Sequence, residues 1–520
     1  MSETRRTLLR LVANYGRLAA TLVIGLTVTR LLIGEVGPHA FGLIVLLGAS
    51  VGLVAMGREI VQHSLVRELG TAHHDGDAQQ FAIAFNAAVA ACLAGAGLAA
   101  AAFGALAAVV DLLRVPEELV VAARWFLLAK GVQLAVFIAL APWLNMYLVT
   151  ERMVGFNARR VCSRAGELVA VAAIIAFPLS VPAAVIAFGA IAAALDVLVS
   201  VGFSLALGLR DRRLRFAPGQ VTRAGIVSLL SLGKWNVITV VAMTLHVRVS
   251  AIVMNLFFGT VGNMLFGLGI QLTSYSRMVA MGMTHGLDAV STRFSAGKGR
   301  AMGQLVYHAT RLHGLVVFPA IAATVILAEP LLAVWVGPRL EDPEAYLPQA
   351  AALVVALALG IGVRAISDGW VRILYGAGFV QRYAWWILAG GVVNPVLAVT
   401  LILLLPEGSG YMGPALAFSA AMVVFHGVVI PAVGARCLEM SLWRLYRPLL
   451  RPAVATGLAL PVLIIAGQWI EAWTLGWLAL VGAVYGMVYG VLAAAIVPRP
   501  DDWRRIGAAL RRQRPARSAG

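Results

Sequence analysis

At 520 residues, with 61% hydrophobic and 12% charged side chains and a mean hydropathy of +0.88, the chain falls outside the soluble globular class, whose charged fraction is about twice as large. The formal charge of +17 would suggest nucleic acid in a soluble chain. In one this apolar it reads instead as arginine gathered in loops on one side of a membrane, with no nucleic-acid partner.

The opening MSETRRTLLR has a basic flank. The apolar stretch after it holds Arg17 and Arg30 and lacks a small-residue cleavage site, so it reads as a retained first helix. Fourteen apolar spans follow, most of them about 20 residues or longer, the length that crosses about 30 Å of hydrocarbon. Spans one and two lie near 11–33 and 40–57, followed by the polar amphipathic stretch REIVQHSLVRELGTAHHDGD. Spans three to six lie near 80–110, 119–149, 163–178 and 182–208, with ERMVGFNARR as the loop before span five. A basic connector, LRDRRLRFAPGQVTR, separates these from spans seven (near 226–258) and eight (near 263–287). Span nine (near 304–328) precedes the longest outer loop, EPLLAVWVGPRLEDPEAY. Spans ten to twelve lie near 348–375, 383–405 and 413–435. Two more, near 452–470 and 474–496, lead to a basic tail. Cys92, Cys162 and Cys437 are odd in number and widely spaced, which indicates neither a disulfide framework nor a metal site.

The chain repeats itself. GEVGPHAFGL at 34–43 recurs as GTVGNMLFGL at 259–268, superposing Gly34, Val36, Gly37, Phe41, Gly42 and Leu43 on Gly259, Val261, Gly262, Phe266, Gly267 and Leu268. Each copy sits between two apolar spans, where a backbone that must reverse within a few residues favours glycine. The hydropathy around the copies repeats too, which marks an internal duplication. An even number of spans separates them, so the halves share one orientation and are expected to be related by a pseudo-twofold along the membrane normal. One set of loops holds Arg5, Arg6, Arg10, Arg152, Arg159, Arg160, Arg210, Arg212, Arg213, Arg215, Arg293, Lys298 and Arg300, besides Arg444, Arg447, Arg451 and the tail. The opposite loops carry Arg114 and Arg339 among acids such as Glu35, Glu117, Glu118, Glu341 and Asp342. By the positive-inside rule both termini are cytoplasmic.

Ionisable residues inside the spans carry the functional signal, because each costs about 2.5–3.5 kcal/mol at the bilayer centre unless it faces the bundle interior or water. On span one, Asn14, Arg17 and Thr21 fall within about 60° of the helical wheel. Arg30 points elsewhere and reads as a snorkelling anchor. Lys234, Thr244, Arg248 and Asn255 share a stripe of span seven; Ser274, Arg277 and His285 share one of span eight, with Asp288 at its end. Span ten places Arg364, Asp368 and Arg372 four residues apart, which fits a structural ladder as well as a binding site. Asp196 is the deep acid of the first half, a counter-ion to Arg17 or another base, or a site for a coupling ion. Arg124, Lys130, Glu167, Arg311 and His313 lie toward span ends and read as packing or interface groups. His246 and His426 read as lone, hydrogen-bonded core histidines. Over the deep positions, Arg17, Lys234, Arg248, Arg277 and Arg364 outnumber Asp196 and Asp368, so the expected cavity attracts an anion, and arginine's planar fork suits phosphate. No Walker motif, GxSxG elbow or HExxH is present, so no ATPase or recognisable hydrolase is indicated and the chain reads as a non-enzyme.

The stretch NYGRLAATLVIGLTVTRLLIGEVGPHAFGLIVLLGASVGLVAMG, followed by REIVQHSLVREL, resembles the polysaccharide exporters of the multidrug/oligosaccharidyl-lipid/polysaccharide superfamily. Within it the chain looks most like the Wzx-type flippases of O-antigen, lipopolysaccharide and exopolysaccharide precursors, with the lipid II flippases as cousins. Met56 stands just before Gly57, where the family often carries an acid or a second glycine. The resemblance implies an all-α membrane fold of two pseudo-symmetric six-helix lobes around a central cavity, with two C-terminal helices. The lobes would be 1–208 and 224–436, joined by the connector 209–223 and followed by 437–497 and the tail 498–520. It further implies a flippase in the bacterial inner membrane. By alternating access it would move an undecaprenyl-pyrophosphate-linked oligosaccharide outward, with Arg17, Arg248 and Arg277 facing the phosphate. No cofactor is implied beyond H⁺ or Na⁺ coupling, for which Asp196 is the candidate; partners would be a polysaccharide polymerase and glycosyltransferases. Two rival readings remain: a cation-coupled drug exporter of the same superfamily, which would want acids to dominate the cavity, and a membrane-embedded glycosyltransferase or ligase.

Overall fold

The computed structural model describes residues 3–74, 77–231, 234–284, 287, 290–292 and 300–498. Among these residues the regular structure is helical, with no strand. That is what a bilayer demands, since a helix satisfies its backbone groups within one segment. In chain order the helices are α1 (Glu3–His74), α2 (Ala78–Ala108), α3 (Glu117–Val149), α4 (Met153–Ala176) and α5 (Val181–Arg210). After the connector come α6 (Arg223–Ser231), α7 (Lys234–Thr284), α8 (Arg300–Ile326), α9 (Ala328–Trp335) and α10 (Pro343–Gly376). The last are α11 (Val380–Leu404), α12 (Gly413–Ala421), a π-helical stretch Met422–Val429, α13 (Ile430–Cys437), α14 (Leu442–Trp469) and α15 (Leu475–Ile496).

Eleven helical runs among the described residues are long and apolar enough to cross a membrane. Two of them, Tyr15–Gly57 in α1 and Val237–Gly282 in α7, run 43 and 46 residues. At about 1.5 Å per residue each would be about twice as long as the hydrocarbon is thick. Each is broken near its middle by one glycine: Gly37 (φ 74°, ψ 174°) and Gly259 (φ 64°, ψ −164°). That backbone region is open essentially to glycine alone. So α1 and α7 are each two spans, called here their first and second arms. With these breaks, and with α4, whose arginines keep it out of a purely apolar tally, the described spans number fourteen, as hydropathy predicts. Their outward side chains fit lipid, since Leu98 and Leu404 are each 74% exposed and would be a liability in water.

The two glycine motifs do not break in the register that their sequences suggest. Superposing them puts Gly37 on Gly262, yet the second break is at Gly259. Pro38 explains the first copy: it lacks an N–H and suits the first turn of a new helix, which fixes the break one residue before it. The second copy has Thr260 after its break, and its Gly262 stays helical, packed over Phe258.

Two other boundaries differ. Span five begins at Met153 rather than near 163, and ERMVGFNARR is mostly helix, not loop. Charge made that stretch look extramembrane, but tertiary contacts hold it: Arg159 is buried over the Phe137 ring and donates to Ser200 Oγ at 3.2 Å, and Arg160 lies over Phe156. The loop EPLLAVWVGPRLEDPEAY is also structured, through α9 and a 3₁₀ turn at Gly337–Arg339. In the basic connector, Asn86 accepts from the Ala217 amide and Trp143 donates to the Leu214 carbonyl. There Arg213 pairs with Asp211 at 2.8 Å, and this bond holds the Asp211 carboxyl below the usual carboxylate range.

Helices α2 to α5 pack on one another and on α1, whereas α8, α10, α11 and α12 pack on α7. The pair α14 and α15 attaches to α8, where Tyr485 and Tyr489 donate to the Pro319 and Leu315 carbonyls. The halves meet where α1 lies against α7. This seam is tightest beside the glycine breaks. Gly42 sits on the Thr260 backbone so closely that an added Cβ would overlap the carbonyl, and His39 Nδ1 lies 3.2 Å from Thr260 Oγ1. Backbone cannot yield as a side chain does. Gly42→Ala is therefore expected to pry the halves apart at this end, costing about 1–3 kcal/mol as overpacking does. The checks are a lower melting temperature and faster amide exchange around Thr260; unchanged exchange would mean the contact is not held.

Candidate functional site

The polar groups of the membrane segments collect on the seam and on its two flanks. On the seam itself, Gln271 of the second α7 arm lies 2.9 Å from Thr29 Oγ1 and donates to Tyr275 Oη at 2.7 Å. The Tyr275 hydroxyl occupies the space left by the missing side chain of Gly25. Nearer the glycine breaks the segment of α9 and the 3₁₀ turn after it clamps the first arm of α1. Arg30 donates to the Val334 carbonyl at 3.3 Å and Trp335 Nε1 to that of Leu26 at 2.8 Å, and Arg339 packs on Gly34. From the other half, Arg114 donates to the Leu256 carbonyl at 2.6 Å and Asn255 to that of Leu113.

On the first flank, Lys130 donates to Gln133 Oε1 at 3.0 Å, and Gln133 Nε2 donates to Asp196 Oδ2 at 2.7 Å. One turn of α4 pairs Arg164 with Glu167 at 2.8 Å. The Arg164 side chain is 49% exposed, yet it lies within electrostatic range of Asp196 in its own half and Tyr275 in the other.

On the second flank, Arg277 of α7 grips Asp368 of α10 through Nε at 2.8 Å and Nη2 at 2.6 Å, both side chains 19% exposed. His313 of α8 packs on Gly369 beside this pair, with Nδ1 at 2.7 Å from the Ala309 carbonyl. Behind it Arg364 lies within electrostatic range of both His246 and His426.

The residues singled out by sequence divide as follows. Arg17 is half-buried on the first arm of α1, its Nε without a hydrogen-bond partner among the described residues. Arg248 lies across the second arm of α1 at Gly52, whose missing side chain makes room for the guanidinium. Arg277 is paired with Asp368 across two helices, and Arg364 is half-buried on α10. Asp196 is held by Gln133. The side chains of Lys234 and Asn14, and the residues His285 and Asp288, lie outside the described ones. The two histidines are not lone: His246 and His426 face each other edge to face, ring centroids 5.9 Å apart. Nor are they fully hydrogen-bonded: among the described residues, three of their four ring nitrogens have no partner in hydrogen-bonding geometry.

Sequence reasoning passed over Gln133, Arg164, Gln271 and Tyr275. Gln133 stood in the middle of span four and carries no charge to mark it, and Arg164 stood at the very start of span five beside a basic loop. The other two were legible, because Gln271 and Tyr275 stand four residues apart, one helical turn, on the span already marked by Arg277. Among the described residues no three His, Cys, Asp or Glu side chains gather as a metal site would require.

No protein-family model matches the chain, and no curated protein does. The fold recurs among solved structures. Lipid II flippase MurJ in its inward closed conformation superposes with a TM-score of 0.68 at 11% identity, covering 94% of this chain and 98% of that one. An inward-facing multidrug resistance MATE family transporter of the MOP superfamily gives a TM-score of 0.66 at 13% identity, covering 81% and 98%. The eukaryotic MATE transporter AtDTX14 gives 0.61 at 13% identity, covering 86% and 99%. At such identities what is shared is the fold: a multi-pass, all-helical membrane architecture that the chain has in common with the flippase MurJ and the MATE transporters.

Proposed function

We propose that this chain is a flippase that carries an anionic, diphosphate-bearing lipid-linked oligosaccharide from the inner to the outer leaflet of a bacterial inner membrane, both termini inside. The observation that carries this reading is a set of arginines within membrane-spanning helices, Arg17, Arg248, Arg277 and Arg364, of which Arg248 reaches across the seam to Gly52. Such groups cost energy in lipid and repay it when they meet an anion. The lipid-linked cargo named for MurJ supports the same substrate class, and that structure accounts for 94% of this chain. Sugar and diphosphate would cross between the halves while the polyprenyl tail stays in the bilayer. An inside-negative membrane potential favours outward movement of the anion by about 2.3 kcal/mol per charge per 100 mV. The product would feed surface polysaccharide synthesis, with a polymerase and glycosyltransferases as partners.

Farnesyl diphosphate binding to protein in nanodiscs, and flipping of a fluorescent undecaprenyl-diphosphate oligosaccharide in proteoliposomes, test the reading. Arg17→Ala and Arg248→Ala are expected to weaken binding about tenfold, the worth of one lost charge-assisted bond, with folding intact. Normal binding and flipping in both variants would remove the arginines from the mechanism. The MATE fold keeps one rival open: export of a cationic dye that survives Arg248→Ala would make the chain a drug exporter. Turnover of a sugar donor by the pure protein would make it a glycosyltransferase.

A further inference from the structure

At the glycine-break end of the seam the two halves hold each other by contacts of one kind. In the first half the 3₁₀ turn Val110–Leu113 follows α2, the third span; in the second, α9 and its 3₁₀ turn follow α8, the ninth. Each connector thus stands at the same place in its own half, and each reaches across to the leading arm of the other. Arg114 donates to the Leu256 carbonyl at 2.6 Å, and Asn255 donates back to that of Leu113. Arg30 donates to the Val334 carbonyl at 3.3 Å, and Trp335 donates back to that of Leu26 at 2.8 Å. In both clasps an arginine of the first half grips a carbonyl of the second, and a side chain of the second grips a carbonyl of the first.

Three of the four acceptors stand where a helix runs out. Leu256 lies three residues before the break at Gly259, Val334 is in the last turn of α9, and Leu113 ends its 3₁₀ turn. The last carbonyls of a helix have no partner within it, and the negative end of its dipole favours a guanidinium there. Leu26 is mid-helix and takes the indole on a second lone pair. The backbone is bent to make the first clasp: Arg114 is held at φ 51°, a left-handed conformation that a residue other than glycine adopts at a cost. The second connector follows the first arm of α1 to its break, with Arg339 on Gly34 and the Glu341 carboxylate 3.0 Å from where a Cβ on Gly37 would stand. When such bonds part, water can serve donor and carbonyl alike, so each has a modest net worth and breaks reversibly. That suits a contact made and unmade in turn.

We propose that the two crossed clasps are the latch of a gate: Arg30, Arg114, Asn255 and Trp335 hold the glycine-break end shut, and that end opens only when their bonds part. With the termini inside, as proposed above, it is the end at which cargo leaves. Arg30 then acts on the opposite half of the protein and not on lipid headgroups. Because both clasps join the same two bodies they part in one motion, and loss of one weakens the closed state without abolishing it. The identity of what passes the gate rests on the flippase reading above; the gate itself does not.

The test is a pulsed electron spin resonance measurement of distances between the halves, on the full-length protein in nanodiscs and without cargo, with Cys92, Cys162 and Cys437 replaced by serine or alanine. Spin labels at Glu118→Cys and Glu344→Cys, both exposed at the starts of α3 and α10, report the clasped end. Labels at Arg152→Cys and Gln381→Cys, exposed beside the far end of α3 and at the start of α11, report the other. Arg114→Ala is expected to raise the ratio of wide to narrow separations at the clasped end about tenfold, the worth of one charge-assisted bond. Arg30→Met with Trp335→Phe is expected to do the same, and all three together to raise it about a hundredfold. As the clasped end widens, the other end is expected to narrow, which a merely structural contact would not cause. Unchanged separations in the triple variant, or widening at one end with no narrowing at the other, overturns the latch and leaves the flippase reading standing. A protein whose separations respond as expected but which flips no lipid-linked oligosaccharide overturns the flippase reading and leaves the latch. Arg114 is exposed, so Arg114→Ala spares the core and decides the matter even if the Trp335→Phe protein fails to fold.

Discussion

Joining Val45→Cys to Gly267→Cys by a disulfide should shut the seam beside the glycine breaks and bring flipping to background. A Cβ built on Gly267 lies 3.4 Å from the Cβ of Val45, near the short edge of the range of about 3.5–4.5 Å that disulfides span. With Cys92, Cys162 and Cys437 replaced by serine or alanine, the bond is expected to form in air without a bridging reagent. The two positions sit on the second arms of α1 and α7, so the link fastens one half to the other. At the opposite end of the seam the contact is looser: the Tyr15 ring reaches across to Gly282. Tyr15→Cys with Gly282→Cys is therefore expected not to join unaided, because the ring that spanned the gap is gone. A reductant should restore flipping in the Val45→Cys, Gly267→Cys protein. Full cross-linking with flipping undiminished would mean that this end never opens, and alternating access would have to be abandoned.

The same glycines show how much could be read before any coordinates. Two apolar runs about twice the bilayer's thickness, each carrying glycines at its middle, had to break there. The fourteen spans and two hairpins were therefore legible. The register of the breaks was not, because a motif match weighs every identity alike whereas Pro38, present in one copy only, decides where the helix restarts. Arg159 misled for a related reason: an arginine beside a run of basic residues looks like a loop until Phe137 and Ser200, from two other helices, are seen to cover it. Helical-wheel arithmetic ranks neighbours within one helix and is blind across helices. It offered Arg364 and Arg372 as companions of Asp368, and the structure adds Arg277, 91 positions away on α7. His246 and His426 looked solitary in the chain for that reason too. What was readable was which helix faces carry charge; what was not was which charges meet.

That meeting of Arg277 and Asp368 sets two roles against each other, and exchanging the partners separates them. Asp368→Asn should lower the melting temperature. It leaves a mostly buried guanidinium facing a neutral amide, and breaking a fully buried pair costs about 3–5 kcal/mol, with less expected here because both side chains keep 19% exposure. Arg277→Asp combined with Asp368→Arg rebuilds the pair with its polarity reversed and should recover most of that stability. It should not recover farnesyl diphosphate affinity if Arg277 serves the anion, because the cation then projects from α10 instead of from the seam helix. A protein that melts normally but binds the diphosphate about tenfold more weakly, the worth of one charge-assisted bond, would assign Arg277 to the substrate as well as to the fold. Recovery of both properties would make the pair a structural strut, and the electrostatic case for a diphosphate would then rest on Arg17, Arg248 and Arg364. The exchange is informative because an anion responds to where the positive charge stands, whereas a strut needs only that opposite charges touch.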